Sequence, residues 1–420
     1  MKRFISIMLG LSVTNALANT IEEIVVTADL RQETTMHVAS SLTVVTEEVI
    51  RSRAAQHFED IIHSIPNVNY ASGSNRARFF QIRGIGERSQ FINPVNPSVG
   101  VLIDDVDFSG AGTVATMMDV KQVEVLRGPQ GTRYGANALG GLINITTNAP
   151  TDTASLSFKA TSGDYETKTY GLIANSPLGN SVNARLVVES HKSDGYIEND
   201  FIDRNDTNGR DEMTLRGRLA WQVSEDWHID LTLAKIDIDN GYDAFSLDNN
   251  RHSLSDEPGF DKQDSTYFAI KSLWQLESMD VEVLVNSSES DLAYGYDEDW
   301  SFTGIHPWGY TSTDHYLRDR DTTSVELRLV SNLNSRIFFD STDWVLGVYS
   351  LTSDESLTRQ YTYLPADFGS DYDFDTLAVF GQIDTRLSDA WTLSTGLRLE
   401  QRDTSYNDSE AVEFSPTDSL

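Results

Sequence analysis

Thr214-Leu215-Arg216-Gly217-Arg218-Leu219-Ala220-Trp221-Gln222-Val223 alternates without a break. Successive residues of a strand point to opposite faces. Leu215, Gly217, Leu219, Trp221 and Val223 therefore share an apolar face, and Thr214, Arg216, Arg218, Ala220 and Gln222 a polar one. The same pattern sets Val325, Leu327 and Leu329 against Ser324, Glu326 and Arg328, and Trp391, Leu393, Leu397 and Leu399 against Thr392, Ser394, Arg398 and Glu400. A soluble sandwich would have to bury these arginines and glutamates in its core, where a charge is costly. A wall with an apolar exterior and a polar lumen has no such conflict.

Outward from this stretch, about eleven strands are predicted, near 154–161, 167–175, 182–190, 213–223, 228–238, 266–276, 281–294, 323–331, 344–353, 374–387 and 391–403. Their connections alternate. Short ones at 175–181, 224–227, 277–280 and 388–390 (with a longer one at 332–343) interleave with long ones at 191–212, 239–265, 295–322 and 354–373. Short turns at one rim and long loops at the other describe an outer-membrane barrel. Tyr170, Trp221, Trp227, Trp274, Trp344 and Trp391 suit its interfacial girdles. Eleven is an odd count, too narrow for a filled barrel, where about 22 strands are expected of a plugged transporter. The 420 residues are accordingly expected to be the N-terminal portion of a longer chain.

The charge divides the sequence. Residues 1–150 carry 12 Lys+Arg and 14 Asp+Glu, and residues 151–420 carry 20 and 50, so two regions with different work are expected. The acidity argues against nucleic acid as a partner, and zero cysteines exclude a disulfide framework or a thiolate zinc site. Residues 1–18 read as a secretory signal peptide: Lys2 and Arg3, an apolar Phe4–Val13 run, and Ala16-Leu17-Ala18 as the cleavage site. Residues 29–150 read as a compact α+β domain. A helix opens after Thr46 and carries Phe58, Ile61, Ile62 and Ile65, and strand-like runs follow at 79–83, 99–103, 123–127 and 141–145. Gly84-Ile85-Gly86 lacks the third glycine of a dinucleotide fingerprint. Asp104-Asp105 is a hairpin turn rather than a metal site, because neighbouring strand residues diverge. No catalytic, cofactor-binding or metal-ligating set is assigned. Between the signal peptide and this domain, Ile24-Val25-Val26-Thr27-Ala28 is β-prone and able to add to another protein's sheet edge, or to serve as an ordinary first strand.

Three segments resemble the plug of TonB-dependent outer-membrane receptors. They are Gln81-Ile82-Arg83-Gly84, the run Val99-Gly100-Val101-Leu102-Ile103-Asp104, and Val123-Glu124-Val125-Leu126-Arg127-Gly128-Pro129-Gln130-Gly131-Thr132. Tyr134-Gly135-Ala136-Asn137-Ala138-Leu139-Gly140-Gly141-Leu142-Ile143-Asn144-Ile145 fits the same family, and residues 24–28 resemble its TonB box. Asp105 departs from the family's frequent turn glycine, and Arg133 from its usual apolar residue.

The resemblance implies a mainly β fold, a transmembrane antiparallel barrel with an N-terminal α+β plug: signal peptide 1–18, TonB box segment 19–28, plug 29–150 and partial barrel 151–420. It implies a non-enzymatic importer in the bacterial outer membrane, without a permanent cofactor. Its partners are TonB with ExbB and ExbD, membrane lipid, and a scarce small ligand, a ferric siderophore or similar iron complex. Haem, cobalamin or carbohydrate uptake, a passive pore and a surface adhesin are the alternatives. Arg83 and Arg127 are expected to lock plug to wall, with Glu189, Glu282, Glu326 and Glu400 as candidate partners. Arg76, Arg78, Arg88, Phe91 and Phe108 are expected at the plug apices that touch ligand, with His306 and His315 as the haem alternative.

Overall fold

The computed structural model describes residues 25–26, 31, 33–34, 40–72, 76–89, 97–112 and 116–409. The signal peptide, Ile24, Thr27, Ala28 and Phe91 lie outside the described residues.

Eleven strands form one antiparallel sheet in sequence order: Ser155–Ser162, Lys168–Pro177, Val182–Ser193, Arg210–Ser224, Trp227–Tyr242, Gly259–Gln275, Met279–Asp297, Thr313–Ser331, Thr342–Tyr361, Phe368–Ser388 and Trp391–Asp408. The alternation read from residues 214–223 sets its two faces. Leu186, Leu215, Leu219, Leu233, Phe268, Val325, Leu327, Leu397 and Leu399 are exposed on the outer face, while Glu189, Glu212, Arg216, Gln263, Asn286 and Arg328 are buried on the inner one. Apolar outside and polar inside inverts the usual burial rule, as lipid requires. Trp221, Trp227, Trp274 and Trp391 are exposed beside short turns, with Trp227 and Trp274 stacked at 6.0 Å. Trp344 is half-buried and donates Nε1–H to the Ser335 carbonyl at 2.8 Å.

The strands run past their predicted ends toward the long loops. Gly259–Gln275 was expected to start at 266, Thr313–Ser331 at 323, and Thr342–Tyr361 to stop at 353. The expected loop 354–373 shrinks to 362–367. Crossing hydrocarbon takes about 9–11 residues of a tilted strand. Strands of 19 to 21 residues stand well clear of it. Above the bilayer both faces meet water, so the hydrophobic period fades while backbone pairing continues.

The plug is a five-stranded sheet ordered Ser41–Thr46, Val120–Arg127, Gly141–Thr147, Val99–Ile103 and Val106–Asp107, with only the Val99–Ile103 and Gly141–Thr147 pair parallel. A hairpin, Val68–Ala71 with Phe79–Ile82, stands apart. The expected long helix is two short ones, Glu47–Ser52 and Glu59–Ile62. Thr46 is extended and makes no side-chain cap, Ala54 takes φ +49°, and the Asp60 carboxylate restarts the helix by accepting from the Gln56 and His57 amides. The turn at Asp104-Asp105 forms, both residues having positive φ. Asp104 holds it by accepting from the Thr147 amide at 2.9 Å and its hydroxyl.

The plug's core does not close on itself. Phe58, Ile61, Ile62, Phe80, Val101, Val123 and Ile143 continue into wall residues Ile236, Ile238, Tyr267 and Leu292. The wall also makes room for the plug: a Cβ on Gly171 would fall 2.4 Å from Met118 Sδ.

Because Leu233 lies on the lipid face, Leu233→Arg should cost about 2–4 kcal/mol of membrane stability if it sits near the bilayer midplane. Asp237→Arg, farther along the same face, should cost about 1 kcal/mol or less. Urea titration of the heat-modifiable gel band in lipid vesicles measures both, and equal losses would place the apolar band elsewhere.

Candidate functional site

Plug and wall meet along a buried polar seam. Asp119, which has positive φ beside the plug strand Val120–Arg127, takes a two-pronged bond from wall Arg185, whose Nε donates at 2.8 Å. Arg216, 2 % exposed, approaches the same carboxylate at 3.7 Å and donates to the Met118 carbonyl. Arg218 donates to the Thr147 carbonyl at 2.8 Å. In the other direction, plug Arg76 donates to wall Asp261 at 3.0 Å and to Gln263, and plug Gln56 bonds Glu189.

His57 forms a second knot. Its Nε2 lies 2.6 Å from Glu212 Oε2, and Arg210 meets its Nδ1. A guanidinium can only donate, so in the neutral ring Nδ1 accepts from Arg210 and the proton sits on Nε2, facing Glu212, whereas the protonated ring keeps the Glu212 bond and gives up the Arg210 one. Asn240 donates to the other Glu212 oxygen, and His191 stands at 5.4 Å, bonded to Thr169. His57, His191 and Glu212 are close enough to suggest a metal, but both His57 nitrogens are already used. Burial pulls the His57 pKa down, the Glu212 carboxylate more than reverses this, and the result lies above the ordinary value. A second cluster, Glu198, Asp200 and His252, is solvent-exposed where two long loops meet.

The expected lock residues meet no wall carboxylate among the described residues. Arg127 bonds Ser41, Thr43 and the Leu42 carbonyl, all within the plug. Burial, and then the neighbouring Arg83, lower its pKa. The four wall carboxylates expected as partners are engaged by others: Glu189 by Gln56 and Lys159, Glu282 and Glu326 by Arg328, Glu400 by Arg398. Among the described residues the seam is carried by Asp119, Asp104, Arg76 and His57 instead. Of the apex residues, Phe108 is no ligand platform, since it is 1 % exposed and packs edge-on against Tyr267. Arg76 is buried in its pair with Asp261, and Arg88 is exposed.

Arg78 does reach a cavity. It lies 3.7 Å from Asp261 and 5.8 Å from the Tyr294 ring, and its Nε has no hydrogen-bond partner among the described residues. The cavity, about 100 Å³, opens between the plug and the upper wall, where Arg78 is joined by Arg318, Arg320 and Arg402, with Glu87 and Glu355 as the opposing carboxylates. Arg320 donates to the Ser109 carbonyl, tying wall to plug. Arg402 stacks on Phe374 at 3.6 Å and donates to the Tyr372 hydroxyl. Four guanidiniums against two carboxylates leave an anion-seeking site with aromatic walls. His306 and His315 are not among its lining residues. They pack against Tyr310 and Phe260.

Residues 34–142 match the TonB-dependent Receptor Plug Domain family. The chain therefore carries a plug domain of the TonB-dependent receptor type. It is 26 % identical to the vitamin B12 transporter BtuB of Vibrio vulnificus over 211 residues, covering 50 % of this chain and 34 % of that one. It is 25 % identical to the pesticin receptor of Yersinia enterocolitica over 396 residues, covering 88 % and 54 %. The fold is similar to the ferric yersiniabactin uptake receptor FyuA from Yersinia pestis, with TM-score 0.75, 19 % identity, and coverage of 88 % and 60 %. The chain thus spans between a third and about half of the curated relatives it matches. These relatives are named as receptors and a transporter.

Strand parity alone puts Arg216 and Arg218 on the inner face. Asp261 escapes that reading because it precedes the predicted strand start at 266. Asp119 carries no sequence signal beyond a charge at a strand start.

Asp119→Asn would leave Arg185 and Arg216 facing a neutral amide in a buried seam. Plug docking should weaken by about 3–5 kcal/mol, read as plug release in limited proteolysis. The His57 pair has its own pH signature. A raised folded-state pKa gives stability fully present below about pH 6.5 and lost as pH rises through the raised value. Amide-exchange protection of Glu59–Ile62 should therefore fall as pH rises above the ordinary histidine value, and Glu212→Gln should flatten the profile.

Proposed function

We propose that the complete receptor imports an anionic ferric chelate, siderophore-like in chemistry, across the outer membrane. Energy comes through TonB, with ExbB and ExbD, acting on residues 24–28. The observation carrying this reading is the arginine-rich cavity between plug and wall, within a fold whose lumen the plug fills. A cavity of about 100 Å³ is far below the roughly 300–1,000 Å³ of a drug-sized site. It fits one anionic arm of a chelate, the rest lying in the open lumen above. The unpartnered Nε of Arg78 supports a ligand contact there, as does the edge of Arg402. Arg88 is offered as an outer contact. Arg83 and Arg127, close together and without a carboxylate partner among the described residues, are proposed to pair with carboxylates outside them. A passive pore would have no use for a domain that fills the lumen. His306 and His315, outside the cavity lining, give the haem reading no support.

Two iron(III) complexes of similar shape separate charge from size: the tris-catecholate, charge 3−, and the neutral tris-acetohydroxamate. The first should bind and the second should not. Arg78→Gln with Arg402→Gln should weaken tris-catecholate binding about 100-fold or more, since two charge-assisted bonds of roughly 1.5–3 kcal/mol each are lost. Equal binding of both complexes would remove the anionic reading.

A further inference from the structure

The longest connection at the short-turn rim carries the wrong residues for water. Between the wall strands Thr313–Ser331 and Thr342–Tyr361, the turn 332–341 presents Leu333, Ile337, Phe338 and Phe339 as exposed side chains, and Phe339 is completely uncovered. Its tip is strained as well. Phe338, Phe339 and Asp340 take φ of +51°, +60° and +61°, and none is a glycine. In that region the Cβ of an L-residue crowds the following carbonyl, so three in a row persist only where surrounding bonds impose them. Those bonds are present. Ile337 and Thr342 exchange backbone bonds at 3.0 and 3.2 Å, and Ser341 Oγ donates to the Phe338 carbonyl at 2.7 Å. The turn is also tied to both neighbouring turns. Asn332 Nδ2 donates to the Leu276 carbonyl at 3.0 Å and Asn334 Nδ2 to the Glu277 carbonyl at 2.9 Å. On the other side the Arg386 amide donates to the Ser341 carbonyl at 2.8 Å. Three adjacent turns thus form one fixed ledge, along which Leu276, Leu387 and Trp391 are exposed too.

Strand parity gives the direction of the ledge. Leu346 and Val348 are exposed on the outer face, and Trp344 shares their parity, nearer the rim. Its indole is bonded to the Ser335 carbonyl of the turn. The turn therefore leans over the lipid side of the wall, not beneath the lumen, and its apolar tip continues the outer face of Leu346, Ile383 and Leu393.

We propose that Phe338 and Phe339 are an interfacial membrane anchor, set by the ledge into the phospholipid leaflet at the short-turn rim. Short turns of outer-membrane barrels face the periplasm, so this is the periplasmic leaflet. In water the turn would hold an uncovered apolar tip in a strained backbone for nothing. At the headgroup boundary, where apolar side chains sink about 5–10 Å, the same tip is buried. The two phenylalanines have no polar atom to keep at the surface. They sit deeper than the rim tryptophans, whose N–H needs a partner. The anchor belongs to the wall alone and does not depend on which ligand is imported.

The complete receptor, freed of any cysteine beyond residue 420, tests this in phosphatidylethanolamine–phosphatidylglycerol vesicles. Asp340→Cys carries an environment-sensitive fluorophore beside the tip, and residues 1–420 hold no other thiol. Lipid bearing a doxyl group near its headgroup should quench the label, and aqueous iodide on both sides should not. Phe338→Ser with Phe339→Ser should reverse both responses, whereas Phe338→Leu with Phe339→Leu should keep the parent pattern. Phe338→Gly with Phe339→Gly separates insertion from folding. Glycine relieves the positive φ, so the heat-modifiable gel band should persist while lipid quenching is lost. A label open to iodide in the parent overturns the anchor, as does unchanged lipid quenching in the Ser and Gly variants. Shielding from iodide that comes only after a periplasmic protein extract is added also overturns it, and gives the ledge a protein partner instead.

Discussion

The Arg185–Asp119 pair shows the constraint under which this molecule is built. A sheet that turns its apolar face to lipid must turn polar side chains inward, and charges inside a lumen need partners. The plug supplies them. Asp119 meets Arg185 and Arg216, Asp261 meets Arg76, and Glu212 meets His57. Removing the plug would expose these groups to whatever water entered. Removing the wall would strip the plug of Ile236, Tyr267 and Leu292, which complete its core. Neither part is a finished domain, and their dependence is both apolar and electrostatic.

That dependence bears on how such a plug could yield. Beside the apolar contact at Ile236, Ile238, Tyr267 and Leu292, the seam's polar contacts are discrete, and they differ in strength. Asp119 is buried with two guanidiniums, and breaking either bond leaves a charge uncompensated in a low-dielectric setting. The His57 knot depends on which ring nitrogen carries the proton. Arg320 at Ser109 and Asn286 at the Asp105 carbonyl are single bonds to backbone oxygens. A force applied near residue 25 would meet these in graded order, the half-exposed contacts giving way before the buried ones.

The alternation at 214–223 reveals the wall's two faces, because lipid on one side and plug on the other keep the period at two over the whole membrane span. The same logic fails above the membrane. In Thr342–Tyr361 the stretch 352–360 continues the ladder with Thr, Ser, Asp and Glu on both faces, and polarity no longer distinguishes strand from loop. The plug's β elements are legible as short apolar runs, but its helix is not. Phe58, Ile61 and Ile62 have helical spacing, yet Ala54 turns the chain before the second helix starts. For the site, residue type is informative and pairing is not. Arg76, Arg78 and Phe108 all have the character of exposed apical groups in sequence. They diverge because wall residues far along the chain decide their fate: Asp261 takes Arg76, Tyr267 covers Phe108, and Arg78 is left lining the cavity.

A chain of net charge −32 is at first sight an odd host for the anionic ligand proposed above. The loops show why the sum misleads. Asp299 spends its carboxylate on the Ser301 and Ser312 amides, Asp297 on the amides of Asp299 and Trp300, and Glu298 on Tyr310 and Ser312. These acids build the loops by accepting from their own backbone and hydroxyls. Exposed pairs such as Lys192–Asp211 and Arg204–Asp206 are further muted by water and salt. Below the rim the balance reverses locally. Arg78, Arg318, Arg320 and Arg402 face two carboxylates within a partly enclosed, low-dielectric recess, where charge acts over distance more strongly than in the loops. A ligand approaching through the loops would meet acid screened by water and salt, and then the cationic recess at the plug apex. Composition sets the sign of the whole molecule, but burial decides which charges a ligand senses.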